Sequence, residues 1–177
     1  DRHNEICSIL LDDNHRVWLA TYHKGIMRSD MPYVQGKKLS FSKVDTGSGK
    51  SEETMLCALE DADGNLWFGN IDGTLTVCHI RTGRFVVHSL LVDGVANRAS
   101  VWALYMDNKN RLYVGTGDGL LLYNHQESTC VKLSAERYLN EKRQPFIRAI
   151  VQTKDGTIWL GTSNMGVCRL VESASGD

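Results

Sequence analysis

Short apolar runs recur along this chain, and Asp, Asn and Gly residues separate them. The runs are rich in Val, Ile, Leu, Trp and Tyr, which favour extended backbone. Polar turn residues interrupt them too often for the 3.6-residue apolar stripe of an amphipathic helix. The pattern therefore predicts short β-strands that are joined by tight turns.

Four of these runs align without gaps on one aromatic residue, at intervals of 49, 46 and 46 residues. The aligned aromatic residues are Trp18, Trp67, Tyr113 and Trp159. Two residues further on, each run has a small side chain: Ala20, Gly69, Gly115 and Gly161. Six residues before each aromatic stands a short polar residue: Asp12, Asp61, Asp107 and Thr153. Such agreement indicates a repeated structural unit and not a single motif.

Each unit predicts a strand, a polar turn, a second strand, a Gly-containing turn, a third strand and a more variable fourth strand. A period in the mid-forties with four short antiparallel strands is typical of a β-propeller blade. The repeats are predicted at approximately residues 4–53, 54–99, 100–145 and 146–177, with the last blade incomplete. We therefore expect an all-β fold in which the whole chain is one propeller segment.

The stretches "MLCALEDADGNLWFGNIDGTL" and "IRAIVQTKDGTIWLGTSNMGV" resemble the two-component regulator propeller repeat. The resemblance covers all four units. Three units depart from the usual motif, with Ala20 for Gly, Asn70 for Thr and Tyr113 for Trp. These departures weaken the match of individual blades to the motif, but the chain as a whole keeps the resemblance.

The ends of the chain lead us to expect an arc of a larger propeller with seven or eight blades. Neither end offers a spare strand to complete the last blade, as closed propellers do. A complete four-bladed ring is the alternative. An arc exposes two apolar blade faces and is expected to self-associate, whereas a monodisperse monomer would favour the closed ring.

Composition narrows the possible functions. A formal net charge of −1 provides no long-range field for nucleic acid, and no apolar run is long enough to span a membrane. The five Cys lie in apolar runs without metal-site spacing and are predicted to be buried thiols. No catalytic, cofactor-binding or metal-binding motif emerges, and we expect no cofactor and no metal.

The candidate ligand-binding residues lie on the rim formed by the loops that enter the first strand and those that join the second and third strands. The strongest candidates are Trp102, Arg148, Arg98, Tyr22, His23 and Asn164. The same rim is predicted to carry His3, Asn4, Lys24, Asn70, Asp72, Asn97, Asp118, Arg143, Phe146 and Met165.

Trp102 and Arg148 occupy equivalent positions at the start of the first strand, where Cys7 and Leu56 stand in the other units. An aromatic face can stack on the C–H surface of a sugar, and a guanidinium binds hydroxyl pairs or carboxylates. The alternative is structural, with Trp102 as core filler and Arg148 in a rim ion pair. The repeated Trp18, Trp67 and Trp159 are predicted to serve packing.

The resemblance implies a periplasmic sensor region of a hybrid two-component histidine kinase, in the ectodomain of an inner-membrane protein from Bacteroides-type bacteria. It implies that the segment performs no chemistry, recognises an oligosaccharide, and signals to a kinase that controls transcription. The implied partners are the remaining blades and signalling domains, with the parent protein forming a homodimer. A protein-interaction scaffold and a streptogramin-lyase-like enzyme are the alternatives.

Overall fold

The structure is a computed structural model and describes residues 5–49, 53–124, 127–133 and 144–170. Within these ranges every regular element is a β-strand, which confirms the all-β prediction. No helix in this part of the chain is long and apolar enough to cross a lipid bilayer.

The first two blades are four-stranded antiparallel sheets whose strands follow one another in chain order. Blade 1 contains β1 (Ile6–Leu11), β2 (Val17–Thr21), β3 (Gly25–Ser29) and β4 (Phe41–Lys43). Blade 2 contains β5 (Met55–Glu60), β6 (Leu66–Asn70), β7 (Thr74–His79) and β8 (Arg84–Ser89). We label the successive strands of each blade A to D.

Blade 3 is wider than predicted because a small hairpin joins its edge. The hairpin consists of β9 (Leu91–Val92) and β10 (Val95–Ala96). Strands A to D are β11 (Val101–Met106), β12 (Leu112–Thr116), β13 (Gly119–Asn124) and β14 (Thr129–Leu133). β9 pairs in parallel with β14, which extends the sheet beyond the four predicted strands.

Blade 4 has three strands in the described part of the chain, namely β15 (Ile147–Gln152), β16 (Ile158–Thr162) and β17 (Val167–Leu170). They pair antiparallel in the order A, B and C. The β9–β10 hairpin lies within residues 54–99 of the sequence but pairs with blade 3.

Adjacent blades are held together by three apolar cores. Trp18 shares the first core with Phe68, and Trp67 shares the second with Val114. Tyr113 shares the third with Leu160. The aromatic side chain of strand B in each of these blades is therefore buried against the next blade, as the repeat predicts.

The blades follow one another along an arc, with the A strands β1, β5, β11 and β15 packed in chain order. In the described ranges β1 and β15 do not pack extensively against each other. Both end faces expose apolar side chains, with Ile9 of blade 1 62% exposed and Val167 of blade 4 73% exposed. Self-association of the isolated chain stays a prediction.

Candidate functional site

The pairing of strands A and B is interrupted at the same place in every blade. One strand A residue is skipped between Ile6 and Ser8, and again between Met55 and Cys57. The same irregularity lies between Val101 and Ala103 and between Ile147 and Ala149. The skipped residues are Cys7, Leu56, Trp102 and Arg148, which we call the bulge row. These are the four positions that the sequence predicted to be equivalent.

A β-bulge redirects its side chain out of the regular alternation, and bulges are common beside binding sites. Here the bulge row follows the start of the A strands, on the rim that also carries the turns between strands B and C. Arg148 is exposed and Trp102 is half-buried at this rim. The row therefore presents a cation and an aromatic ring side by side in blades 3 and 4.

Trp102 and Arg148 are in direct contact. The Arg148 guanidinium carbon lies 3.8 Å from the centroid of the Trp102 ring and 4.6 Å from that of Phe146. The two aromatic rings are 5.6 Å apart and tilted by 45°. Stacking of this kind restrains a guanidinium and leaves its edge available for hydrogen bonding.

The turn between strands B and C of blade 4 also holds the Arg148 guanidinium. The Nε atom of Arg148 donates a hydrogen bond to the Oγ atom of Ser163 at 2.9 Å. Among the described residues, Arg148 forms no ion pair with a carboxylate. Its remaining donors, on the Nη atoms, are therefore available to a ligand at the rim.

The geometry changes how Trp102 could act in binding. Arg148 covers one face of the Trp102 ring, so that face is not available to stack on a sugar. The Trp102 Nε1 atom is buried and has no hydrogen-bond partner in the described structure. Trp102 thus positions the guanidinium, and Arg148 is the residue of the pair that presents polar atoms to solvent.

Asn164 also has a positioning role. Its Oδ1 atom accepts a hydrogen bond from the Phe146 backbone N–H at 2.9 Å. Its Nδ2 atom donates to the Gln144 carbonyl oxygen at 3.2 Å. Phe146 is further confined by blade 3, since a Cβ atom on Gly117 would lie 3.1 Å from its ring. The Asn164 amide therefore holds the residue that packs beside Arg148.

The other predicted residues are spread along the rim. Tyr22 and His23 lie in the turn between strands B and C of blade 1, with their rings 4.5 Å apart. Blade 2 separates them from Trp102. Exposed Arg98 lies between blades 2 and 3, beside a cleft of about 340 Å³. His3, Asn4 and Arg143 lie outside the described residues.

The first half of the bulge row is chemically different. Leu56 is buried, whereas Cys7 is exposed, so the prediction of a buried thiol is wrong for Cys7. The blade 1 face that bears Cys7 has no blade packed over it in the described structure. The buried-thiol prediction is confirmed for Cys57, Cys78, Cys130 and Cys168.

A second cleft, of about 790 Å³, lies on the opposite rim between the outer strands of blades 2 and 3. Trp67, His88 and Tyr123 line its wall, and the Tyr123 hydroxyl lies 3.1 Å from His88 Nδ1. Sequence reasoning did not find this cleft because its lining comes from two blades. No group of three or more His, Cys, Asp or Glu residues in the described chain is placed to hold a metal ion.

Three segments match the family model of the two component regulator propeller, at residues 49–72, 94–118 and 142–164. The segments include strands A and B of blades 2, 3 and 4, together with Leu56, Trp102 and Arg148 of the bulge row. These three segments are similar to two-component regulator propeller repeats. The family resemblance that the motifs suggested is thereby confirmed.

Solved structures share the fold of this chain. The extracellular domain of a hybrid two-component system from B. thetaiotaomicron aligns with a TM-score of 0.74 and 17% identity over 95% of this chain and 24% of its own. A second such domain from the same organism gives a TM-score of 0.68 and 24% identity over 93% of this chain and 20% of its own. The chain thus spans between a fifth and a quarter of the length of these extracellular domains.

Virginiamycin B lyase from Staphylococcus aureus, solved with quinupristin, aligns with a TM-score of 0.68 and 12% identity over 98% of this chain and 54% of its own. At these identities the likenesses concern the fold alone. No curated protein matches the sequence.

Proposed function

We propose that this chain is a ligand-sensing segment of the periplasmic region of a hybrid two-component histidine kinase and response regulator. Its ligand is an oligosaccharide that binds at the bulge row. The observation that carries the proposal is the stacked Arg148 guanidinium, which lies on the B–C rim without a carboxylate partner among the described residues. The match to the two-component regulator propeller supports a sensory role for this rim.

The chemistry of the rim suits a hydroxyl-rich ligand. A guanidinium edge donates paired hydrogen bonds to neighbouring oxygens, and the exposed part of Phe146 offers apolar surface to sugar C–H groups. Trp102 and Ser163 hold Arg148 before the ligand arrives, which lowers the entropic cost of binding. The segment itself performs no chemistry in this proposal.

Signalling requires the ligand to prefer one arrangement of the parent protein over another. In the proposal, bound oligosaccharide favours one packing of propellers or protomers in a homodimeric parent, an inner-membrane protein. The change reaches a cytoplasmic kinase in another part of that protein, which then alters transcription. The likeness to the lyase concerns the fold alone.

Isothermal titration calorimetry tests the proposal. The panel contains short xylo-, manno- and gluco-oligosaccharides together with oligosaccharides from pectate, alginate and hyaluronan. At least one member is expected to bind, and Arg148→Ala is expected to weaken that binding at least about tenfold. Arg81→Ala is the matched control, because Arg81 is exposed in the C–D turn of the opposite rim. If no oligosaccharide in the panel binds, the proposal is contradicted and an interaction scaffold is favoured.

A further inference from the structure

Resting on the proposed function, we infer that the site selects acidic oligosaccharides, with Arg148 binding the carboxylate of a uronic acid residue. The inference concerns which oligosaccharide binds, and not whether the rim binds one. It follows from the groups that the rim presents to solvent around Arg148.

The first step is the orientation of the guanidinium. Its Nε–H donates to the Ser163 Oγ atom, and its carbon atom lies over the Trp102 ring, 3.8 Å from the ring centroid. The two Nη groups therefore form the edge that faces a ligand. The spacing of the two Nη groups fits the spacing of the two oxygens of a carboxylate. Each oxygen can therefore accept one of two parallel hydrogen bonds.

The second step is charge. Lys132, near the same rim, forms an ion pair with Asp118 at 2.7 Å. Arg148 has no such partner in the described ranges, and Arg98 on the same rim likewise has none. An anionic ligand gains Coulomb energy at Arg148 without breaking an ion pair to any described residue, whereas a neutral sugar gains hydrogen bonds alone.

The third step is the position of the aromatic rings. Because Arg148 covers the Trp102 face, that face is not available to stack on a neutral pyranose. The contribution of Trp102 to binding is then indirect, through the orientation of the guanidinium. Trp102 is a positioning residue in this account, and the specificity lies in the charge and the planar shape of Arg148.

The test uses pectate, alginate and hyaluronan oligosaccharides, each beside its carboxyl-reduced counterpart, in which a CH₂OH group replaces each carboxylate. Calorimetry of the chain is expected to give at least about tenfold tighter binding for the acidic member of one pair. That preference should fall as the salt concentration rises, because the contact is partly exposed. Equal affinity for both members of every pair that binds would overturn the inference and leave the proposed function standing.

Two variants separate charge from geometry. Arg148→Gln should abolish the preference for the acidic member, and Arg148→Lys should retain part of it, because lysine keeps the charge and loses the planar fork. Arg81→Gln should behave as wild type. Circular dichroism checks that each variant is folded. If a folded Arg148→Gln variant keeps the full preference, Arg148 is not the carboxylate site and the inference is wrong; binding of no sugar overturns both proposals.

Discussion

The Trp67 indole N–H donates a hydrogen bond to the Asp61 Oδ2 atom at 2.8 Å, and the Asp61 Oδ1 atom accepts the backbone N–H groups of Asp63 and Asn65. Asp61 therefore closes the A–B turn and anchors the aromatic residue of strand B at once. Asp12 makes the same contacts in blade 1, with Trp18 at 2.8 Å. This explains why the sequence repeats an Asp six residues before the aromatic position.

Replacing Asp61 with Ala should destabilise the chain by roughly 2–4 kcal/mol, because several hydrogen bonds to a carboxylate are lost in a partly buried turn. Urea denaturation followed by fluorescence measures the change. Asp63→Ala is the matched control, since its exposed side chain closes no turn. Equal effects of the two substitutions would show that the Asp61 contacts do not stabilise the blade.

The aromatic residue of strand B should contribute differently to the free energy of unfolding in different blades. Trp67 is 5% exposed between blades 2 and 3, whereas Trp159 is 37% exposed on the end face of blade 4. Trp67→Ala should cost roughly 3–5 kcal/mol, as for other buried aromatic residues. Trp159→Ala should cost clearly less in the isolated chain. Thermal unfolding of both variants tests this difference, and near-wild-type stability of Trp67→Ala would refute the packing role.

The glycine two residues after the aromatic residue of strand B allows the next blade to pack closely. A Cβ atom on Gly115 would lie 2.5 Å from the Ile147 Cγ2 atom, while one on Gly161 would meet nothing closer than the Ala149 Cβ atom at 3.4 Å. Gly115→Ala should therefore destabilise the chain by roughly 1–3 kcal/mol, and Gly161→Ala should be nearly neutral. Chemical denaturation measures the free energy of unfolding of both variants. An unchanged value for Gly115→Ala would show that blades 3 and 4 can move apart at little cost.

The buried thiols should make the free energy of unfolding depend on pH in the alkaline range. Burial raises the pKa of Cys57 and Cys130 to about 12 and that of Cys78 to about 11, from an ordinary value of 9.0. The unfolded chain releases these protons first, so the free energy of unfolding should fall as the pH rises above about 9. The free energy of unfolding at several pH values measures the slope. Cys130→Ala should reduce the slope, and an unchanged slope would contradict the assignment.

The repeat pattern predicted the strands well because each strand carries its own signal. The spacing of Trp18, Trp67, Tyr113 and Trp159 located strand B in every blade. The hairpin of β9 and β10 was missed because its strands are two residues long and pair with an edge that is distant in sequence. The Asp93–Gly94 turn between them, with both residues at positive φ, was the available signal.

The candidate site could be predicted in position but not in geometry. Alignment made Trp102 and Arg148 equivalent, and the bulges explain why both side chains leave the regular pattern. That Arg148 would lie over Trp102 depended on the Ser163 hydroxyl and on the Phe146 ring, which belong to different segments. A single sequence contains no direct signal for such a contact between blades.

The most direct test of ligand binding at the bulge row is a ¹H–¹⁵N spectrum of the tryptophan indoles during titration with a bound oligosaccharide. Trp102 stacks beneath Arg148, whereas the Trp18 and Trp67 indoles donate to Asp12 and Asp61 at the opposite rim. The Trp102 indole signal should move as the site fills, and the Trp18 and Trp67 signals should stay in place. A saturating ligand that shifts Trp67 and leaves Trp102 unchanged would contradict the site.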